Sequence, residues 1–288
     1  MNSKIEAYLQ LARLSNLPTV WSNVLVGAAL ASQGLPIPIT TTLAAIFAIS
    51  LFYVGGMAQN DLVDLRIDSE ERPERPIPSG RINKGEVRLF TLGTFIVGLI
   101  IIGLTAPQAL PIAFGLIIAI NLYNLLHKKW TGSLIFMGLC RALVYCTAAA
   151  MVAQTFAKQL PAFATLLALY IIVLTLIAQK EAKGPLGYRR YLAIAIIAIP
   201  FLAYFTTTHS LDKSFLAPSL LLMIWLIRSA RHIWSTPPKV VPAILGWLSG
   251  ISLVDAFFLA LLNQPELSLI AVFCFFATVL GHRRILGT

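Results

Sequence analysis

What most constrains this chain is a succession of apolar runs, nearly all of them close to the length of a bilayer crossing. A hydrocarbon core of about 30 Å takes about 20 consecutive apolar residues in a helix. Runs of that order recur at about 17–34, 37–59, 87–105, 108–126, 133–156, 160–178, 188–207, 214–229, 240–263 and 267–281, the eighth and the last being short. Inside lipid every backbone N–H and C=O must be paired within its own segment, so each run reads as a helix. Composition agrees: 58% of the residues are hydrophobic and 12% charged, where a soluble domain carries about a quarter charged residues. The expected fold is an all-α integral membrane protein of nine or ten transmembrane helices, a single domain over 1–288 with no soluble domain. Residues 4–15 read as an amphipathic helix at the membrane surface, with Ile5, Leu9 and Leu11–Ala12 opposing Lys4, Glu6 and Arg13. Ala29-Leu30-Ala31 has the look of a leader cleavage site. A first spanning helix lined with small residues is the better reading, because a removed leader does not account for the runs that follow.

The formal net charge of +10 raises the possibility of a nucleic-acid partner, and its distribution argues against one. With the N-terminus placed inside, the inner loops collect Lys4 and Arg13, then Arg66, Arg72, Arg75, Arg81, Lys84 and Arg88. Lys128 and Lys129 follow, then Lys180, Lys183, Arg189 and Arg190, then Arg228, Arg231 and Lys239, and finally Arg283 and Arg284. The outer loops keep only Lys158 and Lys213. This is the positive-inside bias of a protein in the cell membrane. Two cytoplasmic ends require an even number of crossings, which favours ten. Cys140, Cys146 and Cys274 are odd in number and lie in apolar runs, so they read as small buried residues, not as a disulfide framework or metal site.

Against this background the segment Asn60–Ile82, NDLVDLRIDSEERPERPIPSGRI, is dense in charge. It holds Asp61, Asp64, Asp68, Glu70, Glu71 and Glu74, half of the chain's twelve acids, with Glu86 just beyond, and also Arg66, Arg72, Arg75 and Arg81. Spacings of three and four place Asp61, Asp64 and Asp68 on one helix face. Carboxylates so close repel each other and are costly at membrane depth, and a hard divalent cation relieves both problems. Mg²⁺ takes one or two carboxylates together with phosphate oxygens and water. Asn60 adds an amide, and the guanidinium forks of Arg72, Arg75 and Arg81 suit phosphate. Carboxylates and arginines at the mouth of a helical bundle point to Mg²⁺-bound diphosphate; the bland alternative is a solvated helix end with balanced charges. The Pro-rich RPERPIPSG stretch cannot be helix interior and reads as a rigid connection.

These residues carry a resemblance. Asn60-Asp61-Leu-Val-Asp64-Leu-Arg-Ile-Asp68 resembles the NDxxDxxxD motif of the UbiA family of membrane prenyltransferases, and Arg72-Pro73 through Gly80 resembles its RPxxRPIPSG extension. RLSNLPTVWSNVLVGAAL, with Arg13, Asn16 and Asn23, is similar to that family's first helix. Tyr123 followed by Lys128-Lys129 is similar to its Tyr…Lys-Arg pattern. The resemblance implies a bundle around a central cavity open to lipid. It also implies Mg²⁺ as cofactor, a polyprenyl diphosphate as donor, and a membrane-associated acceptor that captures an allylic cation. On this reading Asp61, Asp64 and Asp68 hold metal and, with Lys128, form the catalytic set. Asn60, Arg72, Arg75, Arg81 and Lys129 face the diphosphate. Asn124, on the helix face of Lys128, either joins them or bonds to neighbouring helices.

The second half departs from that pattern. The loop at 179–190 lies about 120 residues after the first, which suggests a degenerate repeat. Where the family carries a second aspartate cluster, this chain has QKEAKGPLGYRR, with Glu181 its single acid. Lys180 and Glu181 are the diphosphate candidates here, a lysine taking the place of a second metal. The departure resembles a divergent branch, EboC-type. Arg141 and Asp255 lie within spans and either pair or line the cavity. Two other functions fit part of the sequence: a transporter or flippase for an anionic lipid, and a non-catalytic isoprenoid-binding protein.

Overall fold

The structure is a computed structural model and describes residues 3–153, 157–179, 187–206 and 213–283. Twelve α-helices are found among these residues. In the first half they are α1 (Ser3–Leu11), α2 (Leu17–Ser32), α3 (Ile39–Val63), α4 (Leu65–Glu71), α5 (Lys84–Thr105) and α6 (Leu110–Leu126). The second half holds α7 (Leu134–Val152), α8 (Leu160–Ala178), α9 (Leu192–Phe201), α10 (Leu216–Arg231), α11 (Val240–Leu261) and α12 (Pro265–His282). Proline opens α2, α6, α8 and α12, where its missing N–H costs nothing and its fixed φ suits the first turn. Asn83 caps α5 by accepting a 2.8 Å bond from the Gly85 N–H. Pro200 lies near the end of α9, and the chain continues as a 3₁₀ turn over Leu202–Thr206.

Nine helical segments among the described residues are long and apolar enough to cross a membrane. The one apolar run of the sequence not among these nine is the first, 17–34, which forms α2; it has 16 residues and rises only about 24 Å. It lies at the centre of the bundle against α3, α7, α11 and α12, with every residue except Trp21 buried. A helix surrounded by protein does not have to match the lipid thickness. Helix α11 is the other core element and packs on α2, α8, α10 and α12. Peripheral helices turn large apolar side chains outward, as Leu89, Leu92, Ile96, Ile100 and Leu104 do along α5. That stripe follows helical spacing and faces the hydrocarbon.

The amphipathic helix expected over 4–15 ends earlier. Arg13 adopts the left-handed region (φ 44°, ψ 50°), and a short 3₁₀ turn, Leu14–Asn16, leads into α2. Such a backbone is uncommon for a residue with a Cβ. Its effect is to turn the Arg13 side chain toward the end of α3. Ala7 and Leu11 of α1 pack with Ala58, Ile77, Ile82 and Val87 in a small separate core, which fastens the Pro-rich connection against α3. Lys4 and Glu86 pair at 3.0 Å on its surface, and the carboxylate raises the Lys4 ammonium above its ordinary pKa.

Candidate functional site

The charged segment does not form one continuous helix. The last turn of α3 carries Asn60 and Asp61, the chain bends at Asp64, and α4 carries Asp68. The backbone bonds from Asp64 N to Asn60 O and from Asp68 N to Asp64 O, both 2.9 Å, continue across the bend. All four side chains belong to buried residues.

Arg75, returning from the Pro-rich connection, bridges two of the carboxylates: Nη1 donates to Asp68 Oδ2 at 2.6 Å and to Asp61 Oδ1 at 3.3 Å. Arg13 Nη2 donates to Asp61 Oδ1 and to Asn60 Oδ1, both at 3.3 Å. Asp64 turns the other way, and its Oδ2 meets His127 Nε2 at 3.0 Å. His127 in turn lies against the Asn124 carbonyl through Nδ1 at 3.0 Å and stacks on Tyr123. Asp64 Oδ1 is buried and has no hydrogen-bond partner among the described residues. A buried acceptor without a partner is one place where an ion or an ordered water is accommodated.

Below the carboxylates an amide network fixes α6 to α3. Asn124 donates to the Gly56 carbonyl at 3.0 Å and to Gln59 Oε1 at 2.8 Å, and accepts from Asn60 Nδ2 at 3.3 Å. Gln59 donates to Asn121 Oδ1 at 2.7 Å. Beneath it lies a narrow cavity of about 80 Å³, lined among others by Phe52, Tyr53, Met57, Tyr123, Asn124 and Arg141.

None of the other described candidates bonds to these carboxylates through its side chain. Arg72, Lys128 and Lys129 are exposed. Arg81 is committed to its own loop, donating to the Glu74 carbonyl at 2.7 Å and to Ser79 Oγ at 3.1 Å. Lys180 and Glu181 lie outside the described residues. Arg141 and Asp255 do not pair directly; Asn23 stands between them, accepting from Arg141 Nη1 at 2.8 Å and donating to Asp255 Oδ2 at 2.7 Å. His127 is the residue that sequence reasoning missed. It shows no metal-ligand spacing, but it is three residues beyond Asn124, hence on the face of α6 that looks at the carboxylates.

The residues fit a single hard cation accompanied by phosphate. No group of three or more His, Cys, Asp or Glu forms a metal cage among the described residues. A Mg²⁺–diphosphate site does not need one, because phosphate and water supply most of the ligands. Asp64 Oδ1 accepts no hydrogen bond among the described residues, and arginine engages Asp61 through Oδ1 and Asp68 through Oδ2, which leaves each of those two acids a second oxygen for a cation.

A profile of the UbiA prenyltransferase family matches residues 20–242. The chain belongs to the UbiA prenyltransferase family. Among curated relatives, digeranylgeranylglyceryl phosphate synthase of Sulfurisphaera tokodaii is 34% identical over 125 residues, 43% of this chain and 45% of that protein. The chain thus spans less than half the length of the curated relatives it matches. In fold it is similar to an apo UbiA homolog from Aeropyrum pernix K1, with a TM-score of 0.63 and 15% identity over 88% of this chain and 96% of that one. It is also similar to a UbiA homolog from Archaeoglobus fulgidus bound to GPP and Mg²⁺, with a TM-score of 0.59 and 14% identity over 89% and 99%. Family membership and the nine membrane-capable helices among the described residues make this UbiA member a multipass integral membrane protein.

Proposed function

We propose that the protein transfers an isoprenoid group from a polyprenyl diphosphate to a lipophilic or aromatic acceptor at the membrane, with Mg²⁺ as cofactor. The observation that carries this reading is the carboxylate mouth: two buried aspartates clamped by Arg75 and Arg13, and a third whose Oδ1 has no partner among the described residues. An anion transporter would not need three carboxylates at its mouth, which repel an anionic cargo unless a metal is bound there. The A. fulgidus homolog, bound to GPP and Mg²⁺ in the same fold, supports the choice of ligand.

Asp64, with Asp61 and Asp68 beside it, would hold the metal, and Asn60 would assist. Bound Mg²⁺ supplies positive charge where the diphosphate gathers negative charge as it leaves. The chain supplies the rest. Lys128, Lys129 and Arg72, exposed at the mouth, face the diphosphate as fixed cations. Arg75 keeps Asp61 and Asp68 from repelling each other. His127 fixes the orientation of Asp64, and Asn124 holds Asn60. Arg81 gives the Pro-rich connection its shape, and Lys180 and Glu181, outside the described residues, stay diphosphate candidates by sequence alone. The apolar walls of Phe52, Tyr53 and Met57 exclude the water that would quench an allylic cation. The mouth faces the cytoplasm by the distribution of basic residues.

Purified protein in nanodiscs, given geranyl diphosphate, Mg²⁺ and a panel of aromatic and glyceryl-phosphate lipid acceptors, tests the reading. Expected is Mg²⁺-dependent release of inorganic diphosphate with a prenylated product, reduced by on the order of 10²-fold or more in Asp64→Asn. Absence of release with every acceptor, or movement of intact prenyl diphosphate across vesicles, overturns it.

A further inference from the structure

Arg141 lies about two turns of helix into α7, deeper than the carboxylate mouth, and lines the narrow cavity beneath it together with Tyr53, Tyr123 and Asn124. A guanidinium has five N–H donors and cannot lose its charge in a protein. Among the described residues one donor is engaged, Nη1 on Asn23 Oδ1 at 2.8 Å.

The carboxylate expected to neutralise it is committed elsewhere. Asp255 Oδ2 accepts from Ser22 Oγ at 2.5 Å and Asn23 Nδ2 at 2.7 Å, and its Oδ1 accepts from the Tyr145 hydroxyl. Asp255 is fully buried, and these bonds fix it in place behind Asn23. The acid thus anchors the amide that holds Arg141 and gives the guanidinium no direct partner. A cation at membrane depth is costly unless paired, so the remaining donors mark a place for an oxyanion. Protein that only needed to join α2, α7 and α11 could have used the neutral Ser22, Asn23 and Tyr145 without an arginine.

We propose that Arg141 binds the anionic oxygen group, phosphate or carboxylate, of the second substrate, below the diphosphate mouth. This rests on the prenyl-transfer reading of that mouth. The arrangement separates two anions along one cavity: the diphosphate at the carboxylate and lysine level, the acceptor's oxyanion two turns deeper. Asn124 lines the cavity and bonds to Asn60 above, so the two levels share a wall.

The full chain in nanodiscs is titrated with hexyl phosphate, hexanoate and hexanol by ligand-observed NMR. These probes share one short tail and differ in the head, so both sources of oxyanion are covered. The wild type is expected to bind at least one of the two anions about tenfold more tightly than hexanol, and saturating geranyl diphosphate with Mg²⁺ leaves that preference in place. Arg141→Met brings the anion-to-alcohol ratio to about one without weakening hexanol or geranyl diphosphate, and Arg141→Lys keeps part of the preference. A wild type without preference overturns the proposal. So does a preference abolished by geranyl diphosphate, because the anion then sits at the mouth. The wild-type measurements decide the matter even where a variant does not fold. Loss of prenyl transfer with the anion preference intact sinks the reading of the mouth and leaves Arg141 as an anion site.

Discussion

At the scale of single residues, the site is an arrangement of buried charges that hold one another. Asp68 has its only charged partner, among the described residues, in Arg75 Nη1 at 2.6 Å, whereas Asp61 is shared between Arg75 and Arg13. Arg75 is 14% exposed and Asp68 7% by side chain, so solvent screens this pair weakly. Removing one partner of a buried pair costs about 3–5 kcal/mol, because the other is left charged and desolvated. Arg75→Met is therefore expected to lower the melting temperature clearly in the absence of metal. Mg²⁺ in excess should then raise the melting temperature of the variant more than that of the wild type, since the cation takes over the neutralising role. Differential scanning fluorimetry at several Mg²⁺ concentrations reads both effects, and equal Mg²⁺ stabilisation of the two proteins contradicts this account of Arg75.

At the scale of helices, close approach depends on single glycines. A Cβ on Gly27 of α2 would sit 2.5 Å from the Tyr145 carbonyl and 2.8 Å from Ala148 Cβ on α7. Backbone cannot move aside as a flexible side chain does, so Gly27→Ala forces the two helices apart; overpacking of this kind costs about 1–3 kcal/mol. Gly93 on α5 meets nothing within 4 Å, and Gly93→Ala should be neutral or stabilising by up to about 1 kcal/mol, the gain in helix propensity. Thermal unfolding of the pair separates packing from propensity: a Gly27→Ala protein as stable as Gly93→Ala removes the argument for small residues between α2 and α7. The helices themselves were readable in the sequence, and their ends less so. Polarity ends an apolar run without ending the helix: α3 continues through Gln59, Asn60 and Asp61, α12 starts at Pro265 with Glu266 in its first turn, and α10 ends on Arg228 and Arg231. Acids at a helix start and bases at its end are favoured by its dipole. The carboxylate motif was readable because its residues are local. The Arg75 bridge, the turn of Arg13 and the His127 contact were not, since each joins segments that only the tertiary fold brings together.

At the scale of the whole molecule, topology follows from counting helices in a bundle where one core helix does not need to match the bilayer. The N-terminal halves of α5, α7, α9 and α11 begin on the side where α3, α6, α8, α10 and α12 end, because consecutive helices alternate. If α2 crosses in the protein interior despite its 16 residues, α1 and the end of α12 share the side of the carboxylate mouth, the side that the positive-inside bias predicts to be cytoplasmic. If α2 were instead a re-entrant element, the N-terminus would lie opposite. Single cysteines decide between these in a background where Cys140, Cys146 and Cys274 are replaced by alanine. Leu35, in the loop after α2, is 70% exposed, and Lys158 lies before α8. Leu35→Cys and Lys158→Cys should react with a membrane-impermeant maleimide added to intact cells, while Lys4→Cys and Arg72→Cys should react only after the membrane is opened. Labelling of Lys4→Cys from outside, with Leu35→Cys also labelled, would mean that α2 does not cross. In that case Arg13 could not reach Asp61 from the cytoplasmic side, so the measurement tests the topology and the construction of the mouth together.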